Sequence, residues 1–152
     1  MANLEDLYQE VIIEHNRSPR NFKRLPDANR TAQGDNPLCG DHIDLFVKVE
    51  GDRIADIGFQ GNGCAISRAS ASLMTSAVQG KSVTEAEELF GAFHSLVTGS
   101  PSPNKAALGK LAALGGVKQF PMRVKCASLS WHALRAALQG DRAAISTESP
   151  AQ

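Results

Sequence analysis

One segment of the chain alternates apolar and polar residues with a period of two, and it constrains the fold more than any other feature. Residues 43–49 carry apolar side chains at every second position, residues 55–60 repeat the pattern, and Gly51-Asp52 lies between them. This pattern predicts two strands joined by a hairpin turn. Because two strands alone are marginally stable, we expect part of residues 25–35 to supply a third.

A helical pattern precedes this hairpin and continues through the second half of the chain. Ser82 and Glu85 have the spacing of a capping box, and Pro121 suits the first turn of a last helix. Helices are predicted over residues 4–15, 64–79, 82–97, 104–114 and 121–138. The predicted fold is therefore α+β, with a small antiparallel sheet of about three strands covered by about five helices.

The length and charge of the chain restrict the classes of protein to which it can belong. Its 152 residues suggest a single domain, which we expect over residues 1–140, followed by a flexible tail over residues 141–152. Basic and acidic residues balance at 16 each, so the charge gives no support to binding of nucleic acid or a membrane surface. Glu5-Asp6 lies where a signal peptide would be basic, and no long apolar run is present, so we expect a cytoplasmic protein.

The three cysteines lie in three different local contexts. Cys39 lies in a turn rich in proline and glycine, and Asp41, two residues further along an extended segment, is expected to point to the same side. Cys64 opens a predicted helix, where the helix dipole and free N–H groups favour a thiolate. Cys126 lies about one turn into the last predicted helix, on its inward face.

The cysteines point to metal binding or to reactive thiols. An odd number of cysteines in a reducing compartment argues against a framework of disulfides. Three thiolates and one carboxylate can fill the tetrahedral shell of zinc. The same thiols could instead hold an iron–sulfur cluster or carry a sulfur atom. The residues alone leave these alternatives open.

Among the histidines, His42 alone is an alternative ligand. His15, His94 and His132 fall on predicted helices away from the cysteines, and we expect them at the surface or at helix ends. The ring of His42 is expected to point away from the site, because His42 directly follows Asp41 on a strand, and His42 is kept as a substitute ligand. The chain also has no H-E-x-x-H motif and no deaminase motif, so zinc hydrolysis and deamination are not expected.

Several motifs in a fixed order carry a resemblance to a known family. They are Pro19-Arg20-Asn21-Phe22, Asn36-Pro37-Leu38-Cys39-Gly40-Asp41, Phe59-Gln60-Gly61-Asn62-Gly63-Cys64 and Cys126-Ala127-Ser128-Leu129-Ser130-Trp131. Over residues 4–138 the chain resembles the U-type iron–sulfur assembly proteins, which comprise the NifU N-terminal domain, IscU and SufU.

Within that family the chain is most similar to the SufU branch. Scaffolds of the IscU type carry a histidine immediately before the last cysteine, where this chain has Lys125. They also carry a Leu-Pro-Pro-Val-Lys segment just upstream, and residues 119–125 differ from it. Residues 99–116 resemble an insertion of the SufU type.

The resemblance implies a zinc site formed by Cys39, Asp41, Cys64 and Cys126. It also implies a zinc-dependent sulfurtransferase role, in which Cys39 accepts sulfur from a SufS-type cysteine desulfurase, a pyridoxal-phosphate enzyme. Downstream SUF scaffold proteins are further expected partners. Three thiolates and a carboxylate leave an excess of negative charge around zinc, which makes one ligand easier to displace.

Two alternatives to the sulfur-acceptor role stay open at this point. The first is a scaffold on which a [2Fe–2S] or [4Fe–4S] cluster is assembled from iron and then transferred. The second is a zinc-stabilised interaction module. In the acceptor role, Arg123 and Lys125 are expected to offset negative charge near the site as accessory residues.

Overall fold

The alternating segment forms the central part of an antiparallel sheet in the computed structural model. The strands are β1 (Arg30–Asn36), β2 (Asp41–Glu50) and β3 (Arg53–Asn62), and each pairs antiparallel with the next. Along β2 the residues at every second position from Asp41 to Val47 are buried and those between them are partly exposed. The predicted hairpin and the third strand expected within residues 25–35 are therefore confirmed, with β1 one residue longer at its end.

A fourth strand lies at the edge of this sheet. The structure describes residues 4–98, 109, 111, 112, 114, 115, 117, 120–139 and 142–146. Within these residues β4 (Arg142–Ser146) pairs parallel with β1, and the strand order is β3-β2-β1-β4. We predicted a flexible tail from residue 141, so residues 142–146 depart from that prediction, and the rest of the tail lies outside the described residues. Pairing with the open edge of β1 supplies backbone hydrogen bonds that no local pattern predicts.

The described residues contain four α-helices, one fewer than predicted. They are α1 (Leu4–Arg17), α2 (Ala65–Val78), α3 (Val83–Thr98) and α4 (Pro121–Gln139). The helix predicted over 104–114 lies largely outside the described residues, and those described between 109 and 117 form 3₁₀ turns. Gly109 has a φ of 53°, which a continuous α-helix cannot contain, and this accounts for the interruption.

The signals for the helix starts agree with the structure. Ser82 Oγ accepts from the Glu85 N–H at 3.1 Å, and Glu85 Oε1 accepts from the Ser82 N–H at 3.0 Å, which is the predicted capping box. Cys64 is the N-cap of α2, and Pro121 is the first residue of α4. Cys64 therefore directly precedes α2, and Cys126 is the sixth residue of α4, in its second turn.

Helices α2 and α4 pack against the sheet and enclose an aliphatic core. α1 packs on α2, and α3 packs on α4, where the Phe93 and Trp131 rings stack with 4.7 Å between their centroids. None of the helices in the described part of the chain is both long and apolar enough to cross a bilayer. This packing brings the start of α2 and the first turns of α4 to the end of the sheet where β1 turns into β2.

Candidate metal centre

Cys39 lies in the turn that joins β1 to β2. The Cys39 N–H donates to the carbonyl of Asn36 at 3.2 Å, and Gly40 has a φ of 73°, so the chain reverses within four residues. Cys39 is exposed at this turn, whereas Asp41, the first residue of β2, is only 2% exposed. The side chains of Cys39 and Asp41 lie close together, as predicted. The cause differs from the prediction, because the left-handed conformation of Gly40 in the turn brings them together and the segment is not extended there.

Cys64 is held beside Asp41 by a close approach of two backbone segments. The Cys64 N–H donates to Asp41 Oδ1 at 2.9 Å, and the Cys64 sulfur accepts from the Ser67 N–H at 3.4 Å. A Cβ atom at Gly61 would overlap the carbonyl of His42, and one at Gly63 would lie 2.8 Å from Asp41 Oδ1. Glycine is therefore required at both positions for the α2 N-terminus to reach the hairpin.

Cys126 supplies the buried side of the cluster from α4. Its side chain is 2% exposed, and its sulfur lies 3.5 Å from Asn36 Nδ2. Burial raises the pKa of the Cys126 thiol far above its ordinary value, because a thiolate loses its hydration there. Hydrogen bonds to Asp41 and Cys39 and the nearby charge of Cys64 raise the pKa further. Without a cation, this thiol stays protonated at neutral pH.

The β1–β2 turn, the start of β2 and α4 bring metal-ligating atoms into one cluster. The ligand atoms of Cys39, Asp41 and Cys126 all lie within 4.8 Å of one another. Two sulfur ligands of one zinc ion lie roughly 3.8 Å apart, given a Zn–S distance of about 2.3 Å. The predicted fourth ligand, Cys64, lies beside this group because its N–H donates to Asp41 Oδ1, but its sulfur is not among the ligand atoms that meet within this distance. The donor set fits zinc or iron, and the buried Cys126 thiol is a group whose ionisation a metal cation would favour.

The two predicted accessory cations lie on the first turns of α4. Arg123 is exposed, and its guanidinium carbon lies 5.0 Å from the centroid of the Phe120 ring. Lys125 is partly buried and lines a cleft of about 480 Å³ between α3 and α4, together with His94 and His132. That these two cations offset negative charge at the cluster stays a prediction.

The histidines differ from the expectation at one position. His15 is buried and its Nδ1 lies 2.7 Å from Ser72 Oγ, so our placement of His15 at the surface was wrong. The α1–α2 packing buries this residue, and Ser72 provides a hydrogen-bond partner for its Nδ1. His42 turns away from the cluster as expected, with its ring nitrogens 2.8 Å from Asp35 Oδ1 and 3.1 Å from Asp44 Oδ1. The Asp35 hydrogen bond raises the pKa of His42, and desolvation partly opposes it.

Sequence reasoning missed Asn36 as a member of the site. In the sequence Asn36 is only the first residue of the turn motif, yet its side chain is fully buried beneath the cluster. Its Nδ2 lies 3.2 Å from Asp41 Oδ2 as well as near the Cys126 sulfur. The available signal was its position five residues before Asp41, because a four-residue turn places the two residues opposite each other.

This fold and this site define a class of protein. Its members are small α+β domains with a cluster of thiols and one carboxylate at the end of the sheet. The family described as "NifU-like N terminal domain" matches residues 7–127. The chain belongs to this family, and the resemblance to U-type assembly proteins is thereby confirmed.

Two relatives with different names are equally similar to the chain. It is 44% identical over 139 residues to the "Iron-sulfur cluster assembly scaffold protein IscU" of Streptococcus pyogenes serotype M1, covering 91% of this chain and 87% of that protein. It is also 44% identical over 133 residues to the "Zinc-dependent sulfurtransferase SufU" of Bacillus subtilis strain 168, covering 88% and 90%. The crystal structure of FiSufU from Fervidobacterium islandicum AW-1 has a TM-score of 0.81 and 34% identity, and the match covers 85% of this chain and 94% of that one.

Proposed function

We propose that this protein serves iron–sulfur cluster assembly as a zinc-dependent sulfur acceptor, taking persulfide sulfur from a SufS-type cysteine desulfurase. The observation that carries the proposal is the exposed thiol of Cys39 beside the buried Asp41 and Cys126. A partner can reach such a thiol while the rest of the cluster stays anchored in the fold. The name of the Bacillus subtilis relative supports the same role.

Cys39, Asp41, Cys64 and Cys126 are the residues that would hold zinc. Bound zinc would supply a positive charge that keeps the thiols ionised at neutral pH. Cys126 has the greatest need of this charge, because burial otherwise keeps it protonated. Asp41 is buried with its Oδ1 bonded to the Cys64 N–H and its Oδ2 to Asn36, so its carboxylate is already oriented in the protein.

Sulfur transfer then requires only a thiolate and a persulfide. The Cys39 thiolate attacks the terminal sulfur of the desulfurase persulfide, and a new S–S bond forms on Cys39. The S–S bond of the desulfurase breaks, and its cysteine leaves as a thiolate. No external oxidant or reductant is needed, because the sulfur oxidation states are exchanged between the two cysteines.

Cys39 is better suited to this attack than the other two thiols. Cys126 is buried, so a persulfide on another protein cannot reach it. Cys64 is exposed, but its sulfur accepts the Ser67 N–H as the N-cap of α2 and is therefore fixed at the helix start. Cys39 lies in a turn whose following residue, Gly40, has a left-handed conformation and no side chain.

The surroundings of Cys39 favour a protein as the sulfur donor. Leu38, next to Cys39, is 54% exposed, and Met122, one helical turn before Cys126, is 46% exposed. Apolar side chains exposed beside a reactive group are common at surfaces that dock another protein. We assign Arg123 and Lys125 as accessory cations near this surface. Downstream SUF scaffold proteins are the proposed recipients of the sulfur.

The second candidate function is a scaffold that assembles and releases a [2Fe–2S] or [4Fe–4S] cluster. The same three cysteines and Asp41 could ligate iron, and the Streptococcus pyogenes relative is named a scaffold. Scaffolds of the IscU type carry a histidine immediately before the last cysteine, where this chain has Lys125. An ammonium group has no lone pair with which to ligate a metal, so this position does not add a ligand for a cluster. Brown protein that passes its cluster intact to an apo-acceptor would favour the scaffold function over the acceptor function.

A comparison of Cys39→Ala with Asp41→Ala tests the acceptor function. Both variants remove one proposed ligand, but only the first removes the proposed acceptor. We expect Cys39→Ala to lower the desulfurase turnover to that of the desulfurase alone, while stable docking survives. Asp41→Ala should keep part of the stimulation when zinc is supplied in excess. Full stimulation by Cys39→Ala would contradict the proposed function.

A further inference from the structure

Asn36 is a fully buried polar residue at the centre of the candidate metal centre. It ends β1 and lies directly opposite Asp41 in the β1–β2 register. A buried amide is retained in a folded protein when its hydrogen-bonding groups are satisfied. The partners of the Asn36 amide therefore indicate what this residue does.

The Asn36 amide connects two of the proposed ligands. Its Nδ2 lies 3.2 Å from Asp41 Oδ2 and 3.5 Å from the Cys126 sulfur, so one NH₂ group donates to a carboxylate on β2 and to a thiol on α4. Asp41 Oδ1 is bonded separately by the Cys64 N–H at 2.9 Å. Both carboxylate oxygens are thus oriented by donors, and each keeps a further lone pair for a metal.

These two hydrogen bonds matter most when the ligands are charged. An N–H donor stabilises a thiolate or a carboxylate more than it stabilises the neutral group. Cys126 is buried, so its thiolate has little water to replace that donor. Groups that orient and neutralise metal ligands from behind commonly affect metal affinity by about 10-fold to 100-fold.

We infer that Asn36 is a positioning residue that holds the Asp41 carboxylate and the Cys126 thiolate in place for the metal. This inference rests on the proposed function, because it requires that the cluster binds a metal. The role belongs to the side chain alone. The backbone carbonyl of Asn36, which accepts the Cys39 N–H and closes the turn, is unaffected by substitution of the side chain.

The test compares Asn36→Leu with Asn62→Leu, starting from metal-free protein. Leucine has nearly the shape of asparagine and no donors, and Asn62 is an exposed asparagine two residues before Cys64 that serves as the control. Competitive titration measures zinc affinity, and the charge-transfer absorbance of bound cobalt(II) reports thiolate coordination. We expect Asn36→Leu to bind zinc about 10-fold to 100-fold more weakly and to show altered cobalt–thiolate bands, with Asn62→Leu close to wild type.

A second variant separates positioning from packing. Asn36→Asp keeps the shape of the side chain but removes the donors to Asp41 and to the Cys126 sulfur, so we expect altered cobalt–thiolate bands. The added carboxylate itself attracts a metal cation, so the cobalt spectrum and not the zinc affinity of Asn36→Asp decides if Asn36→Leu does not fold. Wild-type affinity and an unchanged cobalt spectrum in the folded Asn36 variant would overturn the inference. Failure of wild-type protein to bind zinc or cobalt would overturn the proposed zinc site itself, and the two failures are thereby distinguished.

Discussion

The β1–β2 turn and helix α4 each contribute a cysteine to the same cluster, but they hold it in opposite ways. Cys39 lies in a four-residue turn beside the exposed Leu38, and its thiol is exposed. Cys126 lies on a helix that packs against the sheet, and its thiol is buried against Asn36. One side of the cluster is therefore accessible to a partner, and the other is fixed by the core.

This difference assigns different tasks to chemically identical side chains. A buried thiol is a poor nucleophile for another protein, yet its fixed position makes it a good anchor for a metal. An exposed thiol in a turn contributes less rigidity, but it can meet a persulfide. Cys64 is intermediate, because it is exposed and also fixed as a helix N-cap.

The largest expected effect is on stability when the metal is removed. A ligand at about 1,000 times its Kd stabilises the folded state by about 4 kcal/mol. Tm changes by roughly 2–4 °C per kcal/mol in a domain of this size. Differential scanning calorimetry should therefore show a fall in Tm of roughly 10 °C after chelation, restored by zinc. An unchanged Tm after verified zinc removal would show that the metal does not link the turn to α4.

The next effect distinguishes the contributions of the ligands to zinc affinity. Structural zinc binds with about 10–16 kcal/mol shared among four ligands, so loss of the anchored thiolate should cost about 100-fold or more. We expect that loss for Cys126→Ser and a loss of about 10-fold to 100-fold for Asp41→Ala, measured by competitive titration. Full zinc occupancy in a Cys39/Cys64 double serine variant would remove the proposed site.

A smaller effect concerns the reactivity of the thiols in metal-free protein. Alkylation requires a thiolate, and burial raises the pKa of Cys126 well above its ordinary value. At pH 8, Cys126 should react at least about 10-fold more slowly than Cys39 and Cys64, since each unit of pKa lowers the thiolate fraction tenfold. Its rate should rise as the pH increases. Peptide mapping after timed alkylation measures the three reaction rates. Equal rates at the three cysteines would show that burial does not separate Cys126 from the two exposed thiols.

The smallest effect lies far from the cluster and serves as a reference. Ser82→Ala removes one half of the capping box of α3, which should cost about 1 kcal/mol in the free energy of unfolding. Zinc affinity should be unchanged, because α3 carries none of the proposed ligands. A change in zinc affinity in this variant would mean that metal binding reports general stability and not the cluster.

Features with a local cause could be predicted from the sequence. The β2–β3 hairpin, the capping box at Ser82 and the start of α4 at Pro121 each follow from a few neighbouring residues. β4 could not be predicted, because Arg142–Ser146 lacks a clear alternation and acquires its conformation by pairing with β1. The helix predicted over 104–114 lies largely outside the described residues, but within it Gly109 has a positive φ that the favourable helical composition of the segment did not indicate.

The candidate site shows the same division between local and tertiary causes. The turn at Cys39 and the helix start at Cys64 were local predictions that the structure confirms. The role of Asn36 and the burial of His15 depend on packing between segments that are far apart in the chain. No spacing rule relates Cys39 to Cys126, so their meeting could be expected only from the family resemblance.

The central claim is that the exposed cysteine of the turn, and not the anchored cysteine of the helix, receives the sulfur. Mass spectrometry of peptides from zinc-loaded protein, after incubation with a SufS-type desulfurase and cysteine, tests it most directly. We expect one added sulfur atom on the peptide that contains Cys39 and none in Cys39→Ala. Sulfur found only on Cys64 or Cys126, and still present in Cys39→Ala, would contradict it.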